Sequence, residues 1–346
     1  MRIAIDVMGG DNAPLSNIEG AFQYFKENTD KSIEIIFVGK EDEIRHYLSK
    51  FSGISSNISI HHAPDVVLMD ESPAKIHRIK PESSMVKAIE LVKENKADAV
   101  ICAGSTGALL SSSLFLLGTI PGIRRPALAP YIPTNNGGFI LCDAGANVDC
   151  RYIHLVHFGI MASAYMEAFL GKKDPTVGLL NVGTEEKKGN ELTRTTYPFM
   201  QEHVNNFVGN IEARYILDGK VDIVICDGFI GNTVLKFIEG VISHMMSWLK
   251  DSMTQHTILK LSSSLMAPAF KDMKKLLDYE EYGGTPFLGV NGIVIKAHGS
   301  STGKSIKNSI ITAKKIFERG LIKNIGDRIS AHLDLMDEFQ NEQKSS

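Results

Sequence analysis

The chain of 346 residues is 43% hydrophobic and 22% charged, and its 37 basic and 40 acidic side chains leave a formal net charge of -3 at pH 7. That composition belongs to a folded globular protein with room for a sizeable core. The two signs of charge are interspersed, so no basic field recruits nucleic acid, and none of the four cysteines has zinc-type spacing.

The first strand-like run, at 3–7, follows Met1 and Arg2 directly. No charged segment, apolar stretch and cleavage site precede it, so a cytoplasmic protein without a signal peptide is expected. The run opens into Gly9, Gly10 and Asp11. Further apolar runs follow at 33–38, 58–61, 99–102, 139–142, 177–181, 207–209 and 221–226, separated by glycine-bearing turns and helix-like segments. This rhythm predicts an α/β protein: a mostly parallel sheet with helices on both faces, folded as a single domain over 1–346. No run approaches the roughly 20 apolar residues of a membrane-spanning helix.

One device occurs twice. Residues 96–107 read KADAVICAGSTG and residues 220–231 read KVDIVICDGFIG, identical at seven of twelve positions. In each, an apolar strand ends at a cysteine and opens into G-x-x-G before a helix-like run. The runs at 3–7 and 139–142 end in looser versions, IDVMGGD and CDAGAN. Residues 241–282 break the rhythm. They are helical in pattern, strand-free and rich in methionine, and are expected to form a helical insertion. A last strand at 292–297 leads to His298, Gly299, Ser300 and Ser301 and an amphipathic helical end.

Glycine after a strand lets backbone amides approach an anion, and the following helix N-terminus adds unpaired N–H groups and a positive dipole end. Gly104, Ser105, Thr106 and Gly107 form such a loop, and Gly231 with Asn232 and Thr233 forms its counterpart. For either loop alone, a phosphate site and a plain tight turn both remain open. Neither is a Walker A loop or a clean G-x-G-x-x-G fingerprint, so no nucleotide cofactor is expected. The turn after 177–181 carries Lys187, Lys188 and Asn190, which could meet an anion or simply be a solvated charged turn. Asp6, Asp11, Asp143, Asp149 and Asp227 stand at strand ends, where carboxylates cap helices and order loops. The pairs His61 with His62 and His154 with His157 lack a third ligand, so no metal is expected.

These residues carry a resemblance. The blocks IDVMGGDNAP (5–14), SSMVKA (83–88), AGSTGAL (103–109), RPAL (125–128), DAGANVD (143–149), LLNVGTEEKKGNELT (179–193), FVGNIEAR (207–214), CDGFIGNTVLK (226–236), YGG (282–284) and VIKAHGSS (294–301) occur in one order along most of the chain. With them the chain resembles the phosphate acyltransferases of bacterial phospholipid synthesis, the PlsX family. It departs from the family pattern at Ser105, where the family usually has asparagine, and at Cys150.

The resemblance implies a fold similar to phosphotransacetylases and isocitrate dehydrogenase, and a homodimer. It also implies transfer of a long-chain acyl group from acyl carrier protein to inorganic phosphate, feeding a membrane acyltransferase. On that reading Gly104, Ser105, Thr106, Gly107, Gly231, Ser300 and Ser301 bind phosphate, and Lys188, Asn232 and His298 are the catalytic candidates. Asp6, Gly9, Gly10, Asp11, Asp143, Asn147 and Asp227 order the loops. Within the insertion, Leu259, Leu261, Leu265 and Met266 stand among lysines and either face an anionic membrane peripherally or lie in a dimer contact. The alternatives are a phosphotransacetylase acting on short acyl-CoA and a non-catalytic membrane-docked scaffold.

Overall fold

A computed structural model describes residues 1–28, 32–51, 56–135, 137–255 and 279–332 of the protein. The architecture is α/β, as the apolar rhythm predicts, but the strands assemble into two sheets rather than one. The first has the order β3 (Ile58–His62), β2 (Glu34–Gly39), β1 (Arg2–Asp6), β4 (Ala99–Cys102), β12 (Ile293–Lys296), β11 (Thr285–Leu288), β5 (Ala127–Leu128). The second has the order β6 (Tyr131–Thr134), β7 (Gly137–Cys142), β10 (Ile223–Ile225), β8 (Val177–Asn181), β9 (Phe207–Glu212).

Strands β3, β2, β1, β4 and β12 are mutually parallel, as are β7, β10, β8 and β9. The strands that patterning missed, β5, β6 and β11, are those that pair antiparallel towards the sheet edges. Each is only two to four residues long, and Pro133 and Pro286 interrupt two of them. Such segments carry too few alternations to register as strands; Pro133 is on an edge strand and Pro286 lies beyond the reach of the two-residue β5, where a missing N–H costs no ladder bond.

The duplicated device is divided between the sheets. One copy contains β4 and starts helix α5 (Thr106–Leu117), and the other contains β10 and starts helix α8 (Gly228–Gln255). Its shared aspartate does the same work in both: Asp98 accepts the Arg2 N–H (2.6 Å) and Asp222 the Thr176 N–H (2.9 Å), each fixing the start of the neighbouring strand.

Helix α6 (Tyr152–Leu170) joins the two halves, packing on β7 and β10 of one sheet and β11 of the other. By length and composition it could cross a bilayer, yet 89% of its apolar window is buried inside the protein, as befits a helix that is apolar all round. One apolar core therefore runs from Ile3, Ile5 and Ile295 of the first sheet to Ile140 and Ile225 of the second. Helices α7 (Glu191–His203), α9 (Gly303–Glu318) and α10 (Leu321–Ser330) pack against α6.

The helical stretch expected from 241 is the later part of α8, which begins at Gly228 and continues unbroken to Gln255. The change at 241 is one of composition, not of backbone. Leu259, Leu261, Leu265 and Met266 lie outside the described residues.

His154 and His157 occupy successive turns of α6. Burial first, and then neighbouring positive charge, lowers both pKa values to about 4. Neutral His154 also accepts the Arg151 N–H at Nδ1 (3.2 Å), holding the first turn of the helix. Both rings stay uncharged in the folded protein down to about pH 4 but protonate near 6.5 when unfolded. Stability is thus full above about pH 6.5 and falls as pH drops towards 4, by about 3 kcal/mol per ring. Urea unfolding at pH 7 and 4.5 should record this loss, and His157→Leu should remove about half of it; an unchanged pH dependence in the variant contradicts the assignment.

Candidate functional site

Parallel strands release their following loops at one edge, and here two such edges face each other across a cleft. On the first rim, the turn after β1 lies against the turn after β4. Gly9 must be glycine, because a Cβ there would stand 2.8 Å from the Gly104 nitrogen. Asp6 accepts the Met8 N–H (3.2 Å) and the Cys102 thiol (3.0 Å); burial pushes its pKa up and these hydrogen bonds oppose that. The turn after β12 is tied in by the Asp11 N–H, which donates to the Gly299 carbonyl (2.8 Å). The Asn12 amide donates to the carbonyls of Ser300 (3.2 Å) and Ser301 (3.3 Å).

The second rim is organised by Asp143. Its carboxylate accepts the N–H groups of Leu128 (2.9 Å), Gly145 (3.2 Å), Ala146 (3.1 Å) and Asn147 (2.7 Å), and the Asn147 side-chain amide (2.9 Å). Asn147 reaches on to the Pro126 carbonyl (2.7 Å), and its own carbonyl accepts the Gly228 N–H (2.8 Å). Asp227 caps α8 by accepting the Ile230 N–H (2.9 Å). At Gly231 any Cβ would overlap the Asp143 carbonyl oxygen, so only glycine lets α8 approach this close.

The cleft between the rims has a volume of ≈ 1350 Å³. Its polar end is lined by Thr106, Gly145, Asn232, Lys296, His298 and Ser300. Thr106 opens α5, Asn232 is the fifth residue of α8, and Ser300 precedes α9. Residues at or near three helix N-termini, each the positive end of its helix, thus line one cleft. His298 adds a donor. Its Nδ1 accepts the Ser300 N–H (3.3 Å) and contacts the Ser300 hydroxyl (2.8 Å), leaving the proton of the neutral ring on Nε2. Burial lowers its pKa, which favours that neutral form.

From the polar end the cleft continues as an apolar limb between α8 and the second sheet, walled by Ile132, Tyr165, Leu217, Ile242, Met246 and Leu249. Along its outer side Phe237, Met245 and Trp248 remain exposed, Trp248 by 71%.

Of the residues expected to bind phosphate, Thr106 and Ser300 line the cleft, and the others take supporting places. Ser105 caps α5, its hydroxyl facing the Ala108 N–H (3.5 Å). Gly107 turns towards Pro73, and Ser301 is buried with its hydroxyl 3.0 Å from that of Ser305. Asn232 and His298 line the cleft, and Asn232 packs over Gly145. Lys188 stands on the loop after β8, the strand beside β10, with its ammonium 3.9 Å from Glu185. Its side chain is not among the groups lining the cleft.

Two features escaped the sequence reading. Lys296 closes the otherwise apolar run IVIK, and a charge ending a buried strand is the signal that could have found it. The apolar limb is foreshadowed by Phe237, Val241, Met245 and Trp248, spaced four, four and three apart on α8. Among the described residues, no group of three His, Cys, Asp or Glu side chains is arranged to hold a metal.

Gly231→Ala should destabilise the protein by about 1–3 kcal/mol, because the α8 start has no room to move. Gly240→Ala, where a Cβ meets nothing within 4 Å, should instead stabilise by about 1 kcal/mol through helix propensity. Thermal unfolding of the two variants tests the packing, and a neutral Gly231→Ala contradicts it.

A family model described as "Fatty acid synthesis protein" matches residues 1–324. A phosphate acyltransferase of Clostridium botulinum (strain Loch Maree / Type A3) is 51% identical over 329 residues, covering 95% of this chain and 98% of that protein. One of Clostridium acetobutylicum is 48% identical over 334 residues, covering 96% and 99%. Among solved structures, a phosphotransacetylase from Streptococcus pyogenes superposes with a TM-score of 0.59 at 16% identity, covering 92% of this chain and 94% of that one. A branched-chain phosphotransacylase from Enterococcus faecalis gives 0.53 at 14%, covering 91% and 99%. At those identities the likeness is one of fold.

Proposed function

The chain belongs to the phosphate acyltransferases, the PlsX family of fatty acid synthesis, and from that premise we propose that it moves a long-chain acyl group from acyl carrier protein to inorganic phosphate. Transfer of an acyl group to phosphate follows from the family. The carrier donor and the chain length are our reading, and one observation carries it: the anion-binding end of the cleft runs directly into a long apolar limb.

A phosphate dianion is nucleophilic as it stands, and a pantetheine thiol with a pKa near ~8.5 leaves readily as thiolate. The chemistry therefore asks for placement and charge stabilisation more than for strong acids or bases. The first amides of α5, with the Thr106 hydroxyl, hold the phosphate, and the positive end of α8 adds to the field there. The Asn232 amide and the His298 Nε2–H face the carbonyl oxygen as it gains charge. Lys188, on the neighbouring loop and outside the cleft lining, is assigned only a through-space contribution of positive charge. The alkyl chain lies against Ile242, Met246 and Leu249, where each buried CH₂ contributes about 0.8 kcal/mol. A phosphotransacetylase handling acetyl groups has no use for such a limb, which favours the long-chain reading over the short-chain alternative.

Purified protein should form acyl phosphate from palmitoyl carrier protein and phosphate, with acetyl-CoA a poor donor. Asn232→Ala and Lys188→Ala, if folded, should each lose about two orders of magnitude or more in turnover. Equal use of acetyl-CoA would assign the short-chain reaction, and near-normal turnover of either variant removes that residue from the site.

The same reading extends to assembly and place. The exposed apolar side of α8 at Phe237, Met245 and Trp248 suits a second copy of the chain, giving a homodimer. Leu259, Leu261, Leu265 and Met266 suit peripheral contact between a cytoplasmic protein and anionic membrane. Sedimentation should give a dimer that Trp248→Glu weakens, and liposome flotation should be lost in Leu261→Glu with Leu265→Glu; a monomeric wild type, or equal flotation, rejects the respective proposal.

A further inference from the structure

Lys296 is the cleft residue whose environment makes least sense without a ligand. The rest of β12, Ile293, Val294 and Ile295, is apolar and buried, and Lys296 itself is only 9% exposed. Its ammonium donates to the Ala103 carbonyl (3.3 Å) and, more closely, to the Ala297 carbonyl. An ammonium has three N–H donors, so one remains, on a residue that lines the polar end of the cleft. Carbonyls solvate a cation without neutralising it. Among the described residues no carboxylate forms an ion pair with Lys296, and the nearby charges act only through space.

Those charges come from every side. Burial disfavours the ammonium, as does Lys236 on α8, while Asp11 in the loop after β1 and Asp6 on β1 favour it; the Cys102 thiol on β4, its pKa pushed up by burial, is neutral and donates to Asp6. His298 stands two residues on. Lys236 is itself paired with Glu239 (2.9 Å). The N-termini of α5, α8 and α9 add further positive potential. A buried cation lacking a counter-ion is unfavourable, and here the place for one is the open cleft.

We propose that Lys296 is a catalytic residue that anchors the phosphate nucleophile, its ammonium taking the bound phosphate as counter-ion. The inference rests on the reading of the cleft as the acyl-transfer site. In the step itself, a phosphate oxygen bonds to the acyl carbon and the C–S bond breaks. The electron pair leaves with sulfur as thiolate, and Lys296 gives up no proton. Because burial lowers the affinity of free Lys296 for its proton and bound phosphate raises it, phosphate should bind more weakly as pH rises through the titration of the free enzyme. On the alkaline side inorganic phosphate is already the dianion, so a fall there belongs to the protein.

The test uses the full chain with inorganic phosphate. Lys296→Met should weaken phosphate binding by about a hundredfold or more while the KM for the acyl donor changes less than about threefold. Lys296→Arg should keep the binding and lose the alkaline fall. Phosphate affinity and turnover in Lys296→Met within threefold of wild type would overturn the inference. Since a core substitution can fail to fold, ¹³C-lysine NMR of the wild type, with the Lys296 signal assigned by Lys296→Arg, gives an independent reading. Added phosphate should raise the titration point of that signal by about one unit or more, and an unmoved signal also overturns the proposal. A wild type whose Lys296 responds to phosphate but makes no acyl phosphate would refute the assigned reaction and leave the anchor standing.

Discussion

The carboxylate of Asp143 gathers five N–H donors, and through them it ties together parts of the molecule that the chain itself keeps far apart. Leu128 belongs to an edge strand of the first sheet, Asp143 follows the second strand of the other, and Gly231 on the α8 start rests against the Asp143 carbonyl. Burial alone drives such a carboxyl towards its neutral form, and only a full set of donors makes the charged form tolerable. Without that hub, Gly145 would not be held under Asn232, and the two rims would have no fixed spacing.

With the spacing fixed, the rest follows from strand direction. Parallel strands send their helices off the same edge, so each βα unit offers its positive end there. The chain uses the device once in each sheet and turns the two copies to face each other, α5 from one side and α8 from the other. Neither loop is a phosphate site by itself. In the proposed reading, the site comes from Thr106, Asn232 and Ser300 lining one cleft, which α8 continues as an apolar wall.

Much of this was legible in the amino-acid order, and the misses have physical causes. The buried parallel strands announce themselves because both faces are covered, which gives continuous apolar runs such as IAID and AVIC. The antiparallel strands at Ala127–Leu128, Tyr131–Thr134 and Thr285–Leu288 do not, being short, the last two also interrupted by proline. Periodicity reports strands but not their partners, so one sheet was expected where two stand. The candidate site was legible as a set of loops rather than as a set of contacts. Ser105 and Ser301 look like phosphate ligands in sequence, yet they cap or pack, since a hydroxyl beside a helix start can serve either end. Lys296 was passed over for the opposite reason. One lysine after three apolar residues reads as the end of a strand, and only the fold reveals that it is buried without a carboxylate partner.

The central claim is that phosphate sits where the three helix starts converge, and a crystal structure determined with inorganic phosphate tests it most directly. The account predicts tetrahedral density within hydrogen-bond reach of the Thr106 and Asn232 side chains and the Ser300 turn. Phosphate bound instead elsewhere on the surface, with that gap holding only water, would contradict it.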